Sequence, residues 1–132
     1  MLKKKDYENG YKKYESKAKE YMQDKEKAEN LLYKAINKAN DRKGRLTEVW
    51  ENLQLLFEAF KAWIKGDYRE IPAKSIITII ATIIYFVSPV DLIPDFIVGL
   101  GLFDDAAVIG FAIKQVVGDL EKFKAWKMNH QE

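Results

Sequence analysis

Ser75-Ile76-Ile77-Thr78-Ile79-Ile80-Ala81-Thr82-Ile83-Ile84-Tyr85-Phe86-Val87-Ser88 carries no charge, and how it is read decides the fold. Its β-branched residues favour strand, but the run is longer than an ordinary strand and shows no alternation of apolar and polar residues. Pro72, tolerated in a first helical turn, predicts a helix over 72–88. Thr78 and Thr82 are its polar interruptions, and their hydroxyls can bond back to the preceding turn. A helix apolar on all sides is buried in protein or in lipid. This one would be about 25 Å long, short of a bilayer core of about 30 Å. Its large apolar residues nevertheless contribute roughly −3 to −5 kcal/mol to insertion, so a transmembrane helix is one expectation, given local thinning of the bilayer.

The run ends in Ser88-Pro89-Val90-Asp91-Leu92-Ile93-Pro94-Asp95-Phe96, and Gly99-Leu100-Gly101-Leu102-Phe103-Asp104-Asp105 precedes a second apolar stretch, Ala106 to Ile113. Four carboxylates thus stand between two apolar segments. Charge in such a setting costs several kcal/mol unless it is paired, capped, metal-bound or wetted. Capping accounts for much of it: Asp91 suits a turn after Pro89, Asp104 an N-cap of the last helix, and Asp105 its first turn. Pro89 and Pro94 hold the residues before them extended, and Gly99 and Gly101 permit close backbone approach. Asp95 has no such duty. The sharper reading brings Asp91, Asp95 and Asp104 or Asp105 together as an acidic binding site, with Mg²⁺ or Ca²⁺ as the candidate cation. Hard oxygen ligands suit those ions, although EF-hand spacing is absent.

The stretch from about Ile71 to Leu120 resembles the YkvA-like family, a domain of unknown function. Its pattern is an aromatic-rich apolar helix, then Pro-x-Asp-Leu-Ile-Pro-Asp-Phe, then Gly-x-x-Asp-Asp. Tyr85 to Ile97 and Gly101 to Asp105 match without a gap, while Val98 stands where many relatives have another proline. The resemblance implies a small helical, membrane-associated bacterial protein. Related domains occur in some eukaryotic membrane-bound ubiquitin ligases, and no catalytic role is settled.

Two solvents compete for the apolar segments. Asp104 and Asp105 would cost about 2.5–3.5 kcal/mol each at the centre of a bilayer, so the second segment does not span alone. Lys61, Lys65, Arg69 and Lys74 precede the segments, and Lys114, Lys122, Lys124 and Lys127 follow, so both flanks belong on the cytoplasmic face. A re-entrant or shallow hairpin is consistent with this. The soluble alternative buries the first segment in a bundle, against a stripe of Ile109, Ile113, Val116, Leu120 and Phe123 on the last helix.

Upstream, Tyr7, Tyr11, Tyr14, Ala18, Tyr21, Ala28, Leu32, Ala35 and Ala39 recur near a 3.5-residue period, interrupted at Lys25, and predict one amphipathic helix that needs a partner. Asn40 to Gly44 stops it, with Gly44 suited to a left-handed cap. Leu46, Val49, Trp50, Leu53, Leu56, Phe57, Phe60, Trp63 and Ile64 form the strongest stripe, opposite Glu48, Glu51, Asn52, Glu58 and Lys61, and Gly66-Asp67 ends it. The short connection predicts an antiparallel pair. An alternative sets Trp50 and Trp63 at a lipid interface, but three glutamates on the polar face weigh against it.

The 132 residues contain no cysteine, which excludes disulfides and thiolate metal sites. The basic start Met1 to Lys5 lacks the apolar core of a secretory signal. Residues 1–45 hold 14 Lys and Arg against 8 Asp and Glu, so charge complementary to anionic headgroups or nucleic acid gathers at the front, though interleaved acids favour a solvated helix over nucleic-acid binding. His130 is the one histidine, in a terminal tail, and Ser16, Ser75 and Ser88 have no histidine partner for a catalytic triad.

The sequence therefore predicts an all-α protein of about four helices. A basic amphipathic arm occupies 1–66, and the hydrophobic hairpin with its amphipathic last helix occupies 67–132. The leading functional reading is a non-enzymatic, membrane-associated adaptor on the cytoplasmic face of a bacterial membrane. It would contact lipid and, through its helical arm or by self-association, another protein. A soluble, cytoplasmic helical interaction module comes second, and a divalent-metal enzyme using the aspartates third. No cofactor beyond that cation is implied.

Overall fold

A computed structural model describes residues 15–88 and 105–130, apart from the side chains of Asp105 and Val108. Among the described residues there are five α-helices and no strand. These are α1 (15–22), α2 (Lys25–Asp41), α3 (Trp50–Lys65), α4 (Ala73–Val87) and α5 (Asp105–Asn129). Two short 3₁₀ turns, Lys43–Arg45 and Thr47–Val49, join α2 to α3.

The expected single first helix is in fact two. Asp24 adopts an extended backbone (φ −130°, ψ 97°), and its carboxylate accepts from the Lys27 N–H at 3.1 Å, so it N-caps α2 and ends α1 before it. The interruption of the stripe at Lys25 marks that boundary. On both sides of it the stripe is buried as expected: Ala18, Ala28, Leu32, Ala35 and Ala39 face the core, with Leu31 beside them and Tyr21 half-buried. Tyr7, Tyr11 and Tyr14 lie outside the described residues.

The left-handed cap is Gly66, not Gly44. Gly66 has φ 83°, and the Asp67 N–H returns to the Ala62 carbonyl at 2.9 Å, closing α3. Gly44 sits instead inside a 3₁₀ turn, where the Thr47 hydroxyl donates to its carbonyl at 3.1 Å. α4 begins at Ala73, one residue after the expected start, with Pro72 as its N-cap residue.

α4 packs against α2, α3 and α5. Nine of its fifteen residues are buried, seven of them in the same core as the stripes of α2, α3 and α5, and only the face of Lys74, Thr78 and Ala81 is more open. The stripe expected to receive it is in place, with Ile109, Ile113, Val116, Leu120 and Phe123 all buried. Thr78 and Thr82 satisfy their hydroxyls on the carbonyls of Lys74 (3.0 Å) and Thr78 (2.7 Å). The expectation of a transmembrane helix is thereby corrected: among the described residues no helix is long and apolar enough to cross a membrane. The all-round apolarity of α4 is matched by three protein neighbours, so its apolar faces contact side chains where a lipid-inserted hairpin would have hydrocarbon.

Candidate functional site

Two ends of the bundle differ in chemistry. At one, α2 and α4 finish, the 3₁₀ turns pass, and α3 and α5 begin. The C-terminal carbonyls of two helices meet there, giving partial negative charge that favours cations. Lys38 meets this demand directly. Its half-buried ammonium donates to the Phe86 carbonyl at 2.6 Å and lies 5.4 Å from the Phe86 ring centre. Lys43 sits 5.1 Å over the half-buried Trp50 ring. Lys38, Asp41, Arg42, Gly44 and Arg45 line an open cleft of about 760 Å³ beside them. Four cations and one acid thus stand within the eight residues 38–45.

The chain enters and leaves the Pro89–Asp104 segment at this same end, from Ser88 and into α5. Asp91, Asp95 and Asp104 lie outside the described residues, as do the expected turn at Pro89 and Pro94 and the glycines Gly99 and Gly101. Asp105 opens α5, with its side chain outside the description. Among the described residues no group of three or more His, Asp or Glu side chains could hold a metal ion.

The opposite end is built from aromatic rings. Tyr68 packs edge-on against Phe123 (5.3 Å between ring centres) and against Trp126 (5.1 Å), and Trp126 stacks on His130 (4.7 Å). His130 Nδ1 lies 2.7 Å from the Trp126 carbonyl, so the lone histidine finishes the last turn of α5. Ser75, an unpaired hydroxyl in the sequence, donates to Asp119 and ties the start of α4 to α5. Burial, reinforced by the negative charges of Glu70 and Asp119, pushes the Tyr68 phenol above its usual value. Trp63, the alternative lipid-interface residue, is buried, and the Arg69 guanidinium lies 4.3 Å from its ring centre. The link between Ser75 and Asp119 spans 44 positions, and no local spacing announces it.

The end of α4, from which the chain runs into its most distinctive motif, and the densest basic cluster therefore share one end of the bundle. A family model described as a protein of unknown function (DUF1232) matches residues 75–111, from α4 through the acidic segment into α5. Over 95 residues the chain is 35% identical to the "Uncharacterized membrane protein YkvA" of Bacillus subtilis (strain 168), covering 72% of this chain and 86% of that protein. The chain belongs to the YkvA family. No solved structure matches it. In this chain α4 is the central helix, and the basic turn of 38–45 stands beside its C-terminal end, inside the matched residues 75–111.

Proposed function

We propose that the protein is a non-enzymatic, peripheral membrane adaptor that meets the cytoplasmic face of a bacterial membrane with the end of the bundle carrying the basic turn. The carrying observation is the basic cleft at Lys38, Arg42 and Arg45, set where the family-matched segment leaves α4. A relative named as a membrane protein supports the reading, as does the lack of a membrane-crossing helix among the described residues. Arg42, Lys43 and Arg45 are exposed, and each cation near an anionic surface contributes roughly 1 kcal/mol. Trp50, half-buried beneath Lys43, adds an amphipathic ring of the kind enriched at headgroup level. The sequence that follows α4 holds the apolar residues Leu92, Ile93, Phe96 and Ile97. Asp91, Asp95, Asp104 and Asp105 in the same stretch oppose deep insertion, because carboxylates are costly in hydrocarbon.

Vesicle flotation tests this. The full-length chain is expected to float with vesicles containing phosphatidylglycerol, to float less with pure phosphatidylcholine, and to dissociate as salt rises. Lys43→Glu with Arg45→Glu should abolish flotation while leaving the circular dichroism spectrum unchanged. A folded protein that ignores both kinds of vesicle would overturn the proposal.

A further inference from the structure

Among the described residues four large hydrophobic side chains stand exposed, and three lie on α5: Phe111 (43% exposed), Val117 (47%) and Met128 (67%). At helical spacing they fall on the side of α5 opposite its core stripe, together with the exposed Ala107, Lys114, Gly118, Glu121 and Ala125. A helix with apolar residues on both sides has one face left to bury.

The charges on this outer face indicate its occupant. Lys114 and Glu121 are seven residues apart, about 10 Å along the axis, and neither has an ion-pair partner among the described residues. A lipid surface would leave both near the middle of the contact, desolvated and unmatched. A second copy of the same helix, packed antiparallel across a two-fold axis between Val117 and Gly118, sets Lys114 opposite the partner's Glu121, and by symmetry Glu121 opposite the partner's Lys114. The same register sets Met128 against the partner's Ala107 and Phe111 beside the partner's Ala125, large against small. At the crossing point a Cβ added to Gly118 would meet nothing within 4 Å, so the second backbone can come close. A parallel pair would instead place Lys114 against its own copy.

We propose that the protein forms a two-fold dimer through the outer face of α5, in this antiparallel register. One helix face is small for a specific interface, so the dimer is weak and concentration-dependent. Sedimentation velocity on the full-length chain, from micromolar to submillimolar concentration, should show a reversible monomer–dimer equilibrium. Lys114→Glu and Glu121→Lys should each weaken it about tenfold or more, and the two together should restore it. Because the chain has no cysteine, Gly118→Cys provides an independent readout. Mild oxidation should link two copies through that residue, and the linkage should fall when Lys114→Glu is added. A chain that stays monomeric throughout, a dimer that the double exchange does not restore, or an α5 face that Phe111→Ser shows to be needed for vesicle flotation alone would each overturn the proposal.

Discussion

Helices α4 and α5 both begin as apolar sequence, yet they end in different surroundings. α4 packs against α2, α3 and α5, and only its face of Lys74, Thr78 and Ala81 is more open. α5 buries one stripe and leaves Phe111, Val117 and Met128 exposed on the other. Residue type alone does not distinguish Ile80 from Phe111, since both are large and apolar, although α5 carries charges further along that α4 lacks. Position in the bundle does. A central helix can be apolar all round because protein provides its solvent, whereas the same composition on an outer helix leaves surface for a further partner.

The strongest way to break this contrast is a charge at the centre of α4. Ile80 is fully buried, so Ile80→Asp should cost several kcal/mol, comparable to the stability of a small domain, and should abolish the cooperative thermal transition followed by circular dichroism. A folded Ile80→Asp protein would mean that α4 faces something other than protein. The contact between the two helices comes next. Asp119→Ala removes the acceptor of the Ser75 hydroxyl and should destabilise by about 1–3 kcal/mol in urea unfolding. Adding Ser75→Ala should then cost little more, because one hydrogen bond is shared by both residues.

The alkaline limb provides a subtler probe of the same contact. Tyr68 has a raised folded pKa, so its contribution to stability is fully present below the unfolded value of about 10 and is lost as pH rises through the raised folded value. Tyr68→Phe should flatten that loss in urea midpoints measured between about pH 9 and pH 11. The smallest effect belongs to the outer face. Phe111→Ser should change monomer stability by no more than about 0.5 kcal/mol in dilute solution, where no second copy covers it. Together, the responses at Ile80 and Phe111 measure how differently the two helices are solvated.

Periodicity was sufficient to place the core. The stripes from Leu53 to Ile64 and from Ile109 to Phe123 are buried as their spacing indicates, and Gly66 ends α3 where expected. The break at Asp24 was less legible, because a cap of this kind is a single residue within an otherwise continuous helical pattern. The candidate site was legible only in part. Its acidic motif stands out in the sequence, but the basic cleft beside it joins Lys38 to Phe86 across 48 positions, and no local rule connects them.

By itself, then, the sequence determined that the chain is helical, which faces are apolar and which family it joins. Those properties follow from 3.6-residue periodicity, from caps, and from a motif contiguous in the chain. Only the tertiary structure decided that α4 is solvated by protein, that Ser75 meets Asp119, and that Lys38 serves the end of α4. Each depends on which helices become neighbours, and that is set by how the apolar faces bury one another.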